Sequence, residues 1–374
     1  MLIRMHWDFN EPIQLENCAG ILGIKDDVPS FVPANKVLLS ERGIQYSHTD
    51  RSGLVFDCDR GLLVQSFFNG FAELPEDYEK NEVSDSYENH LMEMAKKGWG
   101  GGLTVIRSTT IPKIEVPFFF VPVFRVKKTE DIERLKKAFE QLPPFLSSVK
   151  YGMYINFSEV SKDLDIEALK ELSKIESMLL IVKVATSGEE LFNSLERTGK
   201  TQIYLLLGAG LLTDRTVIVG GDWITGADAE AIRSQSSWIV NMPVITAETG
   251  SGGGFPILKF FNKGYKRVIL GTGSSFKDSP LFLSAFSLLL YRQMAWTSNI
   301  SEERILRMLW DGWGILDEKM KCIDEGCYPP LNLYHFHANS SNIIKSVARG
   351  EYSSFPSFSC LPKFGCFEMT SSPP

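Results

Sequence analysis

The side chains able to do chemistry in this chain sit where apolar runs stop. The run over residues 61–76, GLLVQSFFNGFAELPE, passes from Leu62, Leu63 and Val64 through Phe67 and Phe68 to Asn69, Phe71 and Glu73. The run MLLIVKV at 178–184 carries Lys183 near its end, and TVIVG at 216–220 is followed by Asp222 and Trp223. SWIVN at 237–241 ends on Asn241, and RVILG at 267–271 opens into Thr272, Gly273 and Ser274. A desolvated lysine at such a position can form a Schiff base with a carbonyl substrate, while Glu73 or Asp222 moves the protons. The glycine-rich stretches 250–254 and 271–275 could cradle a phosphate on backbone N–H groups. Neither matches GxxxxGK[ST] or a GxGxxG opening a first βαβ unit. Cys322, Cys327, Cys360 and Cys366, with His335 and His337 between them, are spaced more loosely than a zinc knuckle. A structural zinc there competes with free thiols.

These residues need a scaffold that gathers strand ends. A run bounded by Gly61 and Gly70, with Pro75 beyond, fits a strand buried on both faces, with 69–73 at its carboxyl end. Barrels and open α/β sheets place chemistry at that edge. Further strand patterns lie at 103–107, 118–124, 151–157, 178–184, 216–220, 237–241 and 267–271. Helical patterns at 84–97, 129–141, 165–175, 188–197, 227–234 and 256–262 separate them, and helices at 281–296 and 301–310 follow. Pro122 weakens the third strand, because proline gives no donor to the ladder. Eight βα units in about 250 residues are what a closed (β/α)8 barrel requires. Residues 1–60 alternate short apolar segments with turns, an all-β signature.

Composition narrows the function classes. The 374 residues are 44% hydrophobic and 23% charged, ordinary globular usage. A net charge of −7 gives nucleic-acid binding no electrostatic support. No run approaches the ~18 apolar residues of a membrane span, and the first residues show no signal core. A cytoplasmic protein is expected, its cysteines free thiols with room for an occasional disulfide, binding neither nucleic acid nor membrane.

The stretch 61–76 resembles the opening barrel strand of the amidohydrolase superfamily, in its deaminase and chlorohydrolase branch. There the pattern is roughly "lv-P-gf-N-x-H-x-H-l-p", with two histidines that bind a catalytic metal. Leu62, Leu63, Val64, Phe67, Phe68, Asn69, Leu74 and Pro75 keep the frame; Phe71 and Glu73 stand at the histidine positions. Val55, Phe56 and Asp57 match the end of the family's amino-terminal half sandwich, and the sequence 322–326 fits its closing segment. The resemblance implies a (β/α)8 TIM-like barrel over 61–319 with a small β-sandwich built from 1–60 and 320–360, and a tail at 361–374. Tyr334 and its neighbours, and residues 342–350, are expected to continue as strands and turns.

The same resemblance exposes departures. Lys183 replaces the ligand after the fifth strand, and Thr186 the acid that shuttles protons. Gly220 replaces a histidine after the sixth strand. "HcPxSN" after the seventh becomes Asn241, Met242, Pro243 and on, and Gly273 replaces the aspartate after the eighth. The five histidines, His6, His48, His90, His335 and His337, lie at none of these positions. The expectation is a barrel without metal or cofactor, in which the Lys183 ammonium pairs with Glu73. Lys183, Glu73 and Asp222 are the catalytic candidates, and Asn69, Phe71, Asn241 and Ser274 join them as binding candidates. The expected ligand is a small polar molecule at the barrel mouth, with a homodimer or an active paralogue as protein partner. The first function class is a pseudoenzyme; the second is a C–N hydrolase for cyclic amides, amidines or aminated heterocycles, either metal-free through Lys183 and Glu73 or with metal ligands at other positions.

Overall fold

The computed structural model describes residues 3–5, 12–40, 42–46, 54–73, 83–106, 118–140, 150–159, 164–251, 253–275, 278–295, 299–335, 343–350, 356, 358–361 and 365–368. Eight parallel strands pair in chain order: β1 (Phe67–Glu73), β2 (Trp99–Ile106), β3 (Phe119–Arg125), β4 (Tyr151–Asn156), β5 (Met178–Val184), β6 (Thr216–Gly220), β7 (Trp238–Asn241) and β8 (Val268–Leu270). A parallel bridge between Ala72 and Gly273 closes the ring. Glu73 N donates to Gly273 O and Gly273 N to Phe71 O, each at 2.9 Å. The fold class is thus the expected (β/α)8 barrel, with extra β sheets.

Residue parity follows from the pleat. Val121 and Val123 of β3, Leu179 and Ile181 of β5, and Val217 and Val219 of β6 fill the barrel interior. Their neighbours Leu180, Val182 and Ile218 face the surrounding helices. Both faces are dry, so the strands read as unbroken apolar runs. Pro122 is accommodated because the β3–β4 ladder begins only at Val123, opposite Gly152. Side-chain caps then start the helices that follow. Ser187 accepts from Glu190 N, and Thr225 forms a capping box with Asp228.

The described part of that run, 61–73, holds two strands where one was expected. Leu62–Gln65 pairs with Gly20–Lys25 and Leu331–Tyr334 in a seven-stranded sheet, and the barrel begins at Phe67. Two indoles fix the crossing: Trp310 Nε1 donates to Gln65 O at 2.7 Å and Trp313 Nε1 to Ser66 O at 2.6 Å. Periodicity cannot show this break, because both pieces are buried. A four-stranded sheet of Gly43–Tyr46, Lys36–Ser40, Ile13–Glu16 and Leu54–Asp57 completes the smaller unit. Leu15, Ile21, Cys58, Leu63 and Leu333 form a core between the two sheets.

Two further expectations change. Residues Ile343–Ala348 are a helix, not a strand. Val347 and Ala348 are buried, and Ala348 O accepts from Ser284 Oγ at 2.9 Å. Within the expected tail, Gly365–Glu368 is a strand paired with Phe358–Leu361 on one side and Ile3–Met5 on the other. That second partner lies at the opposite end of the chain, beyond the reach of local pattern. Among the described residues no helix is long and apolar enough to cross a membrane.

Candidate functional site at the barrel mouth

The carboxyl ends of β1, β3, β4 and β5 bring charge to one rim of the mouth. Parity points Glu73, Arg125, Asn156 and Lys183 inward, one step above the apolar layers. Arg125 Nη1 lies 3.4 Å from Glu73 Oε1, and its Nη2 lies 2.7 Å from Glu159 Oε2. Asn156 Nδ2 donates to Glu159 Oε1 at 2.7 Å, and Lys127 Nζ stands 3.4 Å from the other oxygen. Burial works to raise the pKa of Glu159, but Arg125, Asn156 and Lys127 outweigh it and hold it below the ordinary carboxylate value. The guanidinium also lies 5.8 Å from the Tyr154 ring centroid, a cation–π contact. Burial, reinforced by Glu73, pushes the Tyr154 hydroxyl well above the ordinary phenol range.

The expected pair of Lys183 with Glu73 does not form: Arg125 is the cation on Glu73. Lys183 is half-buried, and no carboxylate among the described residues lies within 4.0 Å of its Nζ. Next to it, Glu190 Oε2 accepts from Thr186 N at 2.8 Å and Thr186 Oγ1 at 2.9 Å, and Glu190 Oε1 accepts from Ser158 Oγ at 2.5 Å. Arg125 and Tyr154 escaped the sequence reading. Their signal was parity: Arg125 follows Val121 and Val123 at the same two-residue step.

The other candidates are placed elsewhere. Asn69 is a seam latch: its Nδ2 donates to Thr272 Oγ1 at 2.8 Å, and its Oδ1 accepts from Thr272 N at 3.1 Å and Phe71 N at 3.2 Å. Phe71 forms the floor, with its ring 5.3 Å from that of Tyr154. Asp222 and Asn241 leave the mouth for a buried network. Asp222 Oδ1 accepts from Asn241 Nδ2 and Oδ2 from Thr246 Oγ1, each at 2.9 Å, and Tyr291 donates to Asn241 Oδ1 at 2.8 Å. Burial raises the Asp222 pKa, against the pull of those two donors. Ser274 is exposed on the turn after β8. Of the glycine stretches, the first lies against Trp223 at Ser251 and Gly253: Trp223 Nε1 donates to Ser251 O at 2.8 Å. A Cβ on Gly253 would meet that nitrogen at 2.5 Å.

The positions where the resemblance demands metal ligands do not make a ligand set. A divalent cation takes several N, O or S donors converging on one point. Phe71 has none, and Glu73 is held by Arg125. Gly220 has φ +98°, and a Cβ there would meet Thr186 Cγ2 at 2.5 Å. Gly273 has φ +59°, and its Cβ would meet Met242 Sδ and Ile245 Cγ1 at 2.9 Å. Backbone and packing, not residue identity alone, have closed these positions. Among the described residues the one cluster with metal-ligand types is Cys322, Asp324 and Cys327, in the small unit. There Cys322 and Cys327 are joined in a disulfide, where free thiols with an occasional disulfide were expected, and the bond leaves no thiolate for a metal. His335 is exposed beyond its strand and His90 is buried in the helix Val83–Lys96, while His6, His48 and His337 lie outside the described residues, as do Leu74 and Pro75.

No family model matches the chain, and no curated protein matches its sequence. Solved structures do match its fold. An adenosine deaminase from Xanthomonas campestris with bound zinc superposes with a TM-score of 0.74 at 12% identity, covering 94% of this chain and 92% of that one. The zinc complex of an atrazine chlorohydrolase from Arthrobacter aurescens TC1 gives 0.76 at 12% identity, with 94% of each chain covered. An amidohydrolase from an environmental sample of the Sargasso Sea gives 0.69 at 10% identity, with 92% and 90% covered. The fold of this chain is therefore the amidohydrolase-type barrel with its accompanying β sheets.

Proposed function

We propose that this chain uses an amidohydrolase-type barrel to bind a small polar molecule without a metal, as a catalytically silent relative of the hydrolases it resembles. The observation that carries this reading is the backbone at Gly220 and Gly273. At both, a ligand-bearing side chain would need a left-handed residue with its Cβ inside a neighbouring side chain. Such positions cannot be returned to metal binding by exchanging one residue. Binding then falls to the charged rim, where Lys183 offers an ammonium that no described carboxylate neutralises. Purification without chelators followed by elemental analysis tests the proposal. Substoichiometric zinc, iron and manganese are expected, and one tightly held equivalent at the mouth overturns it.

One observation favours a second reading. An inward cation with no carboxylate partner among the described residues, on the same rim as the ion-paired Glu73, could stabilise the oxyanion formed when a C–N bond is hydrolysed. Cyclic amides, amidines and aminated heterocycles are the substrates to screen. Turnover that survives chelation and disappears in Lys183→Ala would establish this metal-free hydrolase in place of the silent binder. A partnership with a second copy or an active paralogue is compatible with either reading.

A further inference from the structure

The polar groups of the mouth divide into those already answered and those left over. Glu159 takes Arg125 Nη2, Asn156 Nδ2 and Lys127 Nζ. Glu190 takes three neutral donors, Thr186 N, Thr186 Oγ1 and Ser158 Oγ. Glu73 faces Arg125 Nη1. Each of these carboxylates thus has a donor of its own.

The donors are not all used. Tyr154 is 0% exposed and stands among the side chains that fill the barrel interior, yet its hydroxyl has no hydrogen-bond partner among the described residues. Burial keeps that hydroxyl protonated, so it has a proton to offer. Arg125 Nε is buried and unpartnered as well. Lys183 has no carboxylate partner among the described residues. A buried polar group without a partner is costly, and few are kept without cause.

Strand register sets the three side by side. Arg125 stands opposite Tyr154 across β3 and β4. Asn156, two residues beyond Tyr154 on the same face, stands opposite Lys183 across β4 and β5. These adjoining positions therefore leave over two uncommitted N–H and O–H donors and one ammonium. Such a set selects a ligand rich in acceptors. A carboxylate brings two oxygens, a negative charge and no donor. A primary amide brings a single oxygen and two N–H groups that need acceptors of their own. An amine meets like charge at Lys183 and must share Glu73 with Arg125.

We propose that the ligand of this mouth is a small carboxylic acid, held as its carboxylate by the Lys183 ammonium and the Tyr154 hydroxyl, with Arg125 Nε as a third donor. The assignment rests on the metal-free binding reading given above and names its ligand class.

The test is calorimetric titration of the full chain, purified without chelators and with its metal content measured. Small aliphatic, aromatic and heterocyclic carboxylic acids are each compared with the primary amide and the amine of the same skeleton. At least one acid should bind about tenfold or more tightly than its amide and amine. Towards that acid, Lys183→Met should lose about 10–100-fold in affinity and Tyr154→Phe about tenfold. Tyr154→Phe removes a hydroxyl that bonds to nothing in the free protein, so its melting temperature should not fall. A binding loss without a stability loss is what a packing role would not give. Failure of every acid to bind, amides or amines binding as tightly as the acids, or unchanged acid affinity in either variant overturns the proposal. If amides or amines win and no metal is held, the metal-free reading stands and the carboxylate assignment falls. One tightly held metal ion at the mouth removes that reading, and this assignment with it.

Discussion

The two arcs of the barrel mouth are built on opposite principles. From β1 to β5 the inward positions above the core carry Glu73, Arg125, Asn156 and Lys183, joined outside by Glu159 and Glu190. At β7 and β8 they carry Met242, Gly271 and Gly273, with Ile245 beside Gly273, and β6 ends in the two left-handed glycines Gly220 and Gly221. A metal centre of the kind expected from the resemblance draws ligands from both arcs. Here one arc keeps polar groups and turns them on one another, while the other has given up side chains and filled the space with hydrocarbon. On the proposed reading the two sides of the mouth differ in kind, and a ligand introduced by point substitution meets different obstacles on each.

The apolar arc should break most severely. Gly273→Asp would place a carboxylate at the position of the missing ligand, at φ +59° and with its Cβ 2.9 Å from Met242 Sδ. Overpacking and a buried unpaired charge together should cost on the order of 3–5 kcal/mol. A fall of well over 5 °C in the melting temperature, without a gain in zinc content, is the expected result. A variant that folds normally and takes up zinc would show that this arc still is a metal site.

In the charged arc the largest loss should come from Arg125→Ala. Arg125 is 17% exposed and serves two carboxylates. Removing it leaves Glu73 without its cation and Glu159 with Lys127 alone, at a cost of about 2–4 kcal/mol. Glu73→Gln keeps the guanidinium paired with Glu159 and should cost about 1 kcal/mol. Urea denaturation of the two variants separates them. Equal losses would mean that the arginine matters only as packing.

What could be read in advance follows the same division. Strand positions were legible because continuous apolar runs of β-branched and large side chains mark strands that are dry on both faces. That very dryness hid which parity faces inward. Asn241 and Lys183 both stand at strand ends in the sequence, yet Asn241 has Ile239 of the helix-facing set two residues before it, while Lys183 has Ile181 of the barrel interior. One residue of phase separates a seam or network role from a place at the mouth. Arg125 was passed over because the apolar run ends at Phe124, one residue before it. The crossing at Ser66 depended on Trp310 and Trp313, over two hundred positions away in sequence, which no local pattern carries.

Acid should move the two arcs in opposite directions. Glu159 is held below the ordinary carboxylate value, so its contribution is present above the unfolded value and is lost as pH falls through the folded one. Asp222, behind the apolar arc, is raised by burial, so its contribution is complete below the unfolded value and is lost as pH rises through the folded one. Relative to the parent, Glu159→Gln should therefore look worse at pH 7 than at pH 3. Asp222→Asn should look better at pH 7 than at pH 3. Urea midpoints at the two pH values give both differences, and slopes of the same sign would remove the contrast.

The smallest effect is expected at Lys183, and it is the most telling. A side chain that held the charged arc together would be missed when truncated, as Arg125 is. Lys183 makes no ion pair with a described residue, so Lys183→Ala should leave stability within about 0.5 kcal/mol. It should also relieve the cost of keeping an ammonium half out of water, which works in the same direction. If the ammonium is kept for a ligand, the loss appears in binding instead. Polar small molecules that raise the melting temperature of the parent should do so less in the variant, because ligand stabilisation scales with the logarithm of affinity. Equal shifts in both proteins would place the ligand away from Lys183, and a large intrinsic loss of stability would make it a structural residue of the rim.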